Sequence, residues 1–430
     1  SHTRRRLLAA LAATGSGSVA GCLGRIGGAL DDGSETPTDD PETSTEGSET
    51  PTGRDEASEA GIQVDLGVPC GETDGPIELS GGRPPTEIDG AQATPETSYG
   101  DEEIPLREKS LYLGHDRETF VDSHLSGGVG HDGIPSIDEP RFVQADDVEM
   151  PACERVFGVE INGDIRAYPQ RILVRHEIVN DVVGGEPVAV TYCPLTGTTQ
   201  GFYRGGVEFG VSGRLVNSNL IMYDRAFDVR WPQVAATAIE VGGEARTDGG
   251  DRLIGQTLRE FRVVWTTWER WSEKHPDTLV MTSETGFARS YNRDPYGSYT
   301  PVSGHYAIDT SRQPNFPLIT TADGDEKRVV IGTRTTDGAV AFDKRALLEE
   351  SVLSGAIGDT PVVAVADDEL ATGYVYANPD GRDVMPTEEG YTVDGETAAP
   401  DELPLESIVA FEAMWFAWFG YYPDTGRVGL

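Results

Sequence analysis

Basic residues are scarce in this chain of 430 residues: 34 lysines and arginines stand against 73 aspartates and glutamates, a formal net charge of −39. A surface of that sign repels phosphate backbones and anionic lipid head groups, which argues against nucleic acid as a partner. The surplus runs along the whole chain rather than one tail, as expected of a halophile whose proteins must stay hydrated in strong salt. Cysteine is rarer still, at four. Beyond the N-terminal segment there is no apolar run of about eighteen residues, so no membrane-spanning helix is expected. The chain also lacks a P-loop, a dinucleotide fingerprint, an H-E-x-x-H pair and a G-x-S-x-G elbow; Gly210-Val211-Ser212-Gly213 is not one. These absences argue against the common nucleotide enzymes, zincins and serine hydrolases.

What is present begins with an export signal over residues 1–22. Thr3-Arg4-Arg5-Arg6-Leu7-Leu8 has the form of a twin-arginine motif, and a short Ala/Leu-rich segment follows it. Val19-Ala20-Gly21-Cys22 resembles a lipobox, which makes Cys22 the expected lipidated residue and new amino terminus. Such a protein is held on the outer face of the cytoplasmic membrane by lipid alone. Together with the acid surplus, this is the make-up expected of a haloarchaeal lipoprotein. Residues 23–61 read as a tether. Between Asp31 and Ala60 eleven carboxylates and one base, Arg54, are interleaved with Ser, Thr, Pro and Gly. That composition buries too little apolar surface to offset ordering entropy, so disorder is expected.

Residues 62–106 lack periodicity and read as an irregular extension packed on the main domain, residues 107–425. The fold class expected is α+β: one large β-rich domain with antiparallel meanders and a few short helices. Val156–Ile161 and Ile165–Tyr168 flank Asn162-Gly163-Asp164, a hairpin signal, and Pro169 opens a short helix leading into the His176 segment. Val188–Tyr192 reads as a buried strand after Gly184-Gly185, and Val207–Val211 and Leu220–Asp224 continue the meander around Asn217-Ser218-Asn219. Thr266 or Thr267 caps a helix carrying Trp268 and Trp271 on one core-facing side, ending at His275-Pro276. Ile408–Phe419 is apolar nearly all round and reads as a buried terminal helix.

The chemistry concentrates in Arg175-His176-Glu177-Ile178-Val179-Asn180-Asp181 and in Tyr192-Cys193-Pro194-Leu195-Thr196-Gly197, on either side of a short turn. With Cys22 lipidated, three cysteines remain. Cys70 and Cys153 both lie in the irregular N-terminal part and are expected to pair, leaving Cys193 free. Cys193 then has three readings: a thiolate nucleophile with His176 as base, a soft ligand for copper or zinc with His176 and a third group such as Asp224, or a small buried residue ending a strand. Asn180 shares a face with His176 if the segment is helical, and Asp181 and Glu177 are placed to orient the imidazole. His115, His124 and His131 fit no standard metal spacing. Two functions follow: thiol redox or metal chemistry at Cys193/His176, or a non-catalytic surface module that binds a small molecule or protein partner.

Several motifs occur jointly: Gly133-Ile134-Pro135, Asn162–Pro169, His176–Asp181, Thr191–Thr198, Gly210–Gly213, Asn217–Leu220, Met222–Arg225, Trp268–Pro276 and Ala413–Trp418. Together they resemble the domain-of-unknown-function family numbered 3179, over residues 107 to 425. The resemblance implies no activity, since that family has none assigned. Its other members often carry a second cysteine where this chain has Thr196. The threonine speaks against a two-cysteine redox mechanism.

Overall fold

Strands account for most of the regular structure, as the alternating apolar pattern requires. The computed structural model describes residues 103–241, 249–291, 296 and 314–430. The signal, the tether, Cys22, Cys70 and the extension up to residue 102 lie outside them. The result is an α+β arrangement of largely antiparallel sheets with five short α-helices among the described residues. No helix of the described residues is long and apolar enough to cross a membrane.

Three sheets build the half that holds His176 and Cys193. The middle one has strands Glu260–Phe261, Thr198–Tyr203, Glu186–Cys193 and Ile178–Val183, in that spatial order. It is buried on both faces. Val188, Val190 and Tyr192 point into one core with Phe157, Tyr168 and Trp265; Ala189 and Cys193 point into another with Phe209, Met222 and Trp231. This two-residue alternation is the pleat itself, and it explains why Val188–Tyr192 reads as a continuous apolar run. One flanking sheet pairs Arg155–Ile161 with Asp164–Pro169; the other pairs Phe209–Val216 with Asn219–Asp224. Their hairpin turns fall where the sequence places them. Asn162 and Gly163 have φ of 51° and 79°, and Asn217 and Ser218 have 52° and 61°, the left-handed pairs that two-residue hairpin loops demand.

The second half pairs Val329–Arg334 with Ala339–Asp343 and with Ala410–Met414, and stacks a four-stranded sheet from Val352–Ile357 to Glu406–Ile408 beside it. Here one expectation is corrected. Ile408–Phe419 is not one helix: Ala410–Met414 is a strand along Val329–Thr333, and only Trp415–Tyr421 is helical. Apart from Glu412, which pairs with Lys344, every side chain is apolar because both the strand and the helix are fully buried, so no period separates them. The helix Trp268–Lys274 does follow expectation, with Trp268 and Trp271 buried, Thr267 at its start and His275 at its end.

The middle sheet is tied to its neighbour by charge. Arg166, 2% exposed, donates from Nη1 to both carboxylate oxygens of Asp181 at 2.8 Å, and Tyr168 donates its hydroxyl to the same carboxylate at 2.6 Å. Asp181→Ala leaves that guanidinium only its pair with the half-buried Asp164 and leaves the buried Tyr168 hydroxyl without its acceptor. The variant is expected to lose about 3–5 kcal/mol in urea unfolding; a loss below about 1 kcal/mol, the scale of an exposed pair, would show that this ion pair does not hold the sheets.

Candidate functional site

The His176 segment is not a helix. A single turn, Gln170–Leu173, follows Pro169; the chain then turns through Val174 and Arg175 and enters the strand Ile178–Val183. Between helix and strand sits Glu177 with φ of 60°, and the Ile178 N–H donates to the His176 carbonyl at 2.7 Å, closing a three-residue γ-turn around it. A non-glycine residue in this conformation is strained and needs its surroundings to hold it.

That turn decides what His176 and Cys193 face. The strand pairing sets Ile178 opposite Thr191, and Tyr192 donates its N–H to the Glu177 carbonyl, so backbone register alone would bring His176 beside Cys193. The left-handed Glu177 rotates the imidazole away instead. Its Nδ1 lies 2.7 Å from the Pro135 carbonyl and its Nε2 lies 2.6 Å from the Tyr291 hydroxyl, which contacts Thr285 Oγ1 in turn. Burial pulls the imidazole down to about 4, so it is neutral at neutral pH. A neutral ring donates from one nitrogen and accepts at the other: Nδ1–H to the carbonyl and Nε2 from the tyrosine.

Cys193 belongs to the core on the other side of the sheet and is 1% exposed. Its Sγ lies 3.9 Å from the Ser218 carbonyl, and no hydrogen bond joins it to His176. Burial, with the Glu177 charge added, pushes the thiol up to about 12. It is therefore a thiol, not a thiolate, and a poor nucleophile as it stands. The loop after it is fixed by a closed polar network. Asn219 Nδ2 donates to Thr196 Oγ1 and to Gln233 Oε1, at 2.9 and 2.8 Å. Gln233 Nε2 donates to Thr191 Oγ1 at 2.8 Å, and the Met414 N–H donates to the Thr196 carbonyl at 2.9 Å. Gly197, at φ 52°, closes the loop against Met414; a Cβ there would lie 3.2 Å from that side chain.

The supporting residues go elsewhere. Asn180 lies in the strand, not on a helix face with His176, and its amide bonds Asp138 and both backbone groups of Phe209. Asp181 serves Arg166 and Tyr168, and does not orient the imidazole. Asp224 accepts from the Phe227 and Val229 N–H groups and from the Trp231 indole, which makes it the organiser of a turn. Among the described residues no group of three or more His, Cys, Asp or Glu side chains is placed to hold a metal ion. His115, His124 and His131 bond the Gly420 carbonyl, the Val121 carbonyl and Asp228 separately. Cys153 is disulfide-bonded, with its other half outside the described residues.

Glu177, which the sequence places to orient the imidazole, is not bonded to it. Its carboxyl is buried, burial alone pushes it up to about 8, and among the described residues no hydrogen bond reaches it. An acid of that kind beside a thiol is the most perturbed group at the site. The one signal in the sequence is a carboxylate placed where the strand pattern of Ile178-Val179 would otherwise begin. Tyr291 carries no such signal, being 115 residues from His176.

The chain belongs to the family described as Protein of unknown function (DUF3179), whose model matches residues 131–425. Neither a curated protein nor a solved structure matches it.

Glu177 and His176 give the stability a defined pH dependence. Unfolded, the carboxyl ionises near its ordinary 4.5 and the imidazole near 6.5; folded, they stand at about 8 and about 4. Between those ordinary values the unfolded chain holds its proton on the imidazole and the folded chain on the carboxyl, so the two contributions cancel. From about pH 6.5 to 8 only the folded chain holds a proton, so its stability falls as pH rises, by about 2 kcal/mol over that window. Glu177→Gln is expected to abolish this fall in urea unfolding at the two ends of the window. An undiminished fall in the variant would place the proton on another group.

Proposed function

We propose that this chain is a twin-arginine-exported, lipid-anchored surface protein of haloarchaeal type whose domain binds a ligand or partner without turning it over. The observation that carries the second half is the thiol. Cys193 is buried and protonated, no hydrogen bond joins it to His176, and both imidazole nitrogens are occupied by Pro135 and Tyr291. Nucleophilic or dithiol chemistry needs the reverse: an accessible thiolate with a base within hydrogen-bond reach. Thr196, bonded to Asn219 and Thr198, fills its position as a network member with no redox capacity.

Support for export and anchoring is the motif pair at Arg4-Arg5 and Cys22 and the acidic tether that follows. A tether of that composition lifts a folded domain clear of the membrane surface. The acid surplus suits a protein working in strong salt, where direct contacts matter more than long-range attraction because the screening length shrinks to about 3 Å at 1 M.

A second reading is favoured by one observation, the Glu177 carboxyl beside Cys193. A carboxyl whose proton leaves near pH 8 is a better base toward a neighbouring thiol than an exposed one, so the exchange would run with the site still closed to water.

Two measurements test the proposal. With a chromogenic disulfide reagent, the native protein is expected to give no thiol and the unfolded protein one, and Cys193→Ser is expected to abolish that one. Rapid labelling of the native protein would favour thiol chemistry instead. For the anchor, Cys22→Ser is expected to move the protein from the membrane fraction into the medium. Retention of the variant on membranes would remove lipidation at Cys22 from the account.

A further inference from the structure

Away from Cys193, the segment Leu106–Lys109, the strand end at Arg334 and the stretch Glu406–Val409 enclose a cavity of about 720 Å³. That is the size of a ligand site for a molecule of a few hundred daltons. Its deep wall is apolar, with Ile357 and Val362 buried and Ile408 half-buried. Its cations are the unusual part. In a chain with 73 acids for 34 bases, a base is expected to have a carboxylate beside it. Arg107 and Lys109 have no ion pair among the described residues. Among the described residues Arg259 has the Tyr203 ring, 4.5 Å from its guanidinium, and no ion pair. Arg334, 3% exposed, pairs with Glu260 at 2.8 Å. Arg334 also lies against the Phe411 and Tyr422 rings, whereas among the described residues the buried Nε–H of Arg107 has no acceptor.

A buried guanidinium N–H left unmade costs free energy, so the Arg107 Nε–H, beside the unpaired Arg259 and Lys109, calls for an acceptor from outside the chain. Guanidinium groups match a carboxylate's two oxygens in a fixed planar fork. The rim adds the opposite kind of group. Glu108, Asp337 and Glu406 are exposed and line the cavity, as do Thr360 and Ser407. Those carboxylates repel a bare anion and accept from hydroxyl groups. The combination selects a molecule that carries both a carboxylate and several hydroxyls.

We infer that this cavity is a binding site for an acidic sugar, a uronate-bearing oligosaccharide whose carboxylate meets Arg107 and Arg259 while its hydroxyls meet the rim. The inference deepens the binding reading above and rests on it, but uses none of the residues around Cys193. Recognition works by contact, so it survives strong salt.

The test is titration calorimetry on the full chain in high salt with three probes: digalacturonate, the neutral galactose disaccharide and sulfate. Digalacturonate is expected to bind, with the neutral sugar and sulfate at least tenfold weaker. Arg107→Gln combined with Arg259→Gln is expected to weaken digalacturonate at least tenfold at unchanged melting temperature, and Lys109→Gln, at an exposed residue, to weaken it less. Equal binding of the neutral sugar or of sulfate overturns the inference, and so does no heat with any probe. Binding that persists unchanged in both variants overturns it too, while leaving a binding module with its site elsewhere.

Discussion

A sheet covered on both faces has no water to satisfy the polar groups inside it, and one side-chain amide answers that constraint for the centre of this molecule. Asn219 donates to Thr196 and Gln233, and accepts from the Val234 N–H and the Tyr421 hydroxyl. It thereby joins the loop after Cys193, the start of one strand, the end of the next and the C-terminal helix. Removing any one partner leaves a buried donor or acceptor unmade, which is why such networks hold a single arrangement rather than several. The position of Cys193, and with it the burial that keeps its thiol protonated, follows from this network rather than from any interaction of the sulfur itself.

The turn chemistry made much of the fold legible. Asn162-Gly163, Gly184-Gly185 and Asn217-Ser218 all adopt left-handed backbone and all close hairpins where the sequence suggests them. Local signals carry that information because a two-residue loop has few alternatives. The nearly all-apolar stretch before Phe419 was illegible for the opposite reason. Whether Ala410–Met414 is helix or strand is decided by Val329–Thr333, some eighty residues earlier, and full burial erases the period that would announce it. The site was half legible. Cys193 at a strand end and His176 across from it are right in register. What separates them is the γ-turn at Glu177, and a positive φ at a glutamate leaves no mark in the sequence beyond the residue itself.

Charge is arranged in two layers. The acids dominate the composition, yet several of the few bases are turned inward as halves of buried pairs: Arg166 with Asp181, Arg334 with Glu260, Lys344 with Glu412. Two of the three connect segments distant in the chain: Arg334 and Glu260 reach across 74 residues, and Lys344 and Glu412 across 68. Such pairs are weak sources of net stability but unforgiving of wrong partners, since a mispaired chain would bury a lone charge. Here they add to the specificity of a fold whose many sheets are apolar and similar in length.

The helix Trp415–Tyr421 fills the core between Phe120, Ile221 and Val330, and the strand Gly426–Val428 lies parallel to Ala339–Asp343. Residues near 120, 220 and 330 thus share one core whose last piece is made some ninety residues after Val330. A growing chain cannot close that core on the ribosome until residues 410–428 have emerged, however long its hairpins have been paired. The strand Val329–Arg334 therefore waits for its neighbour Ala410–Met414 while the chain from Arg334 to Ala410 is made.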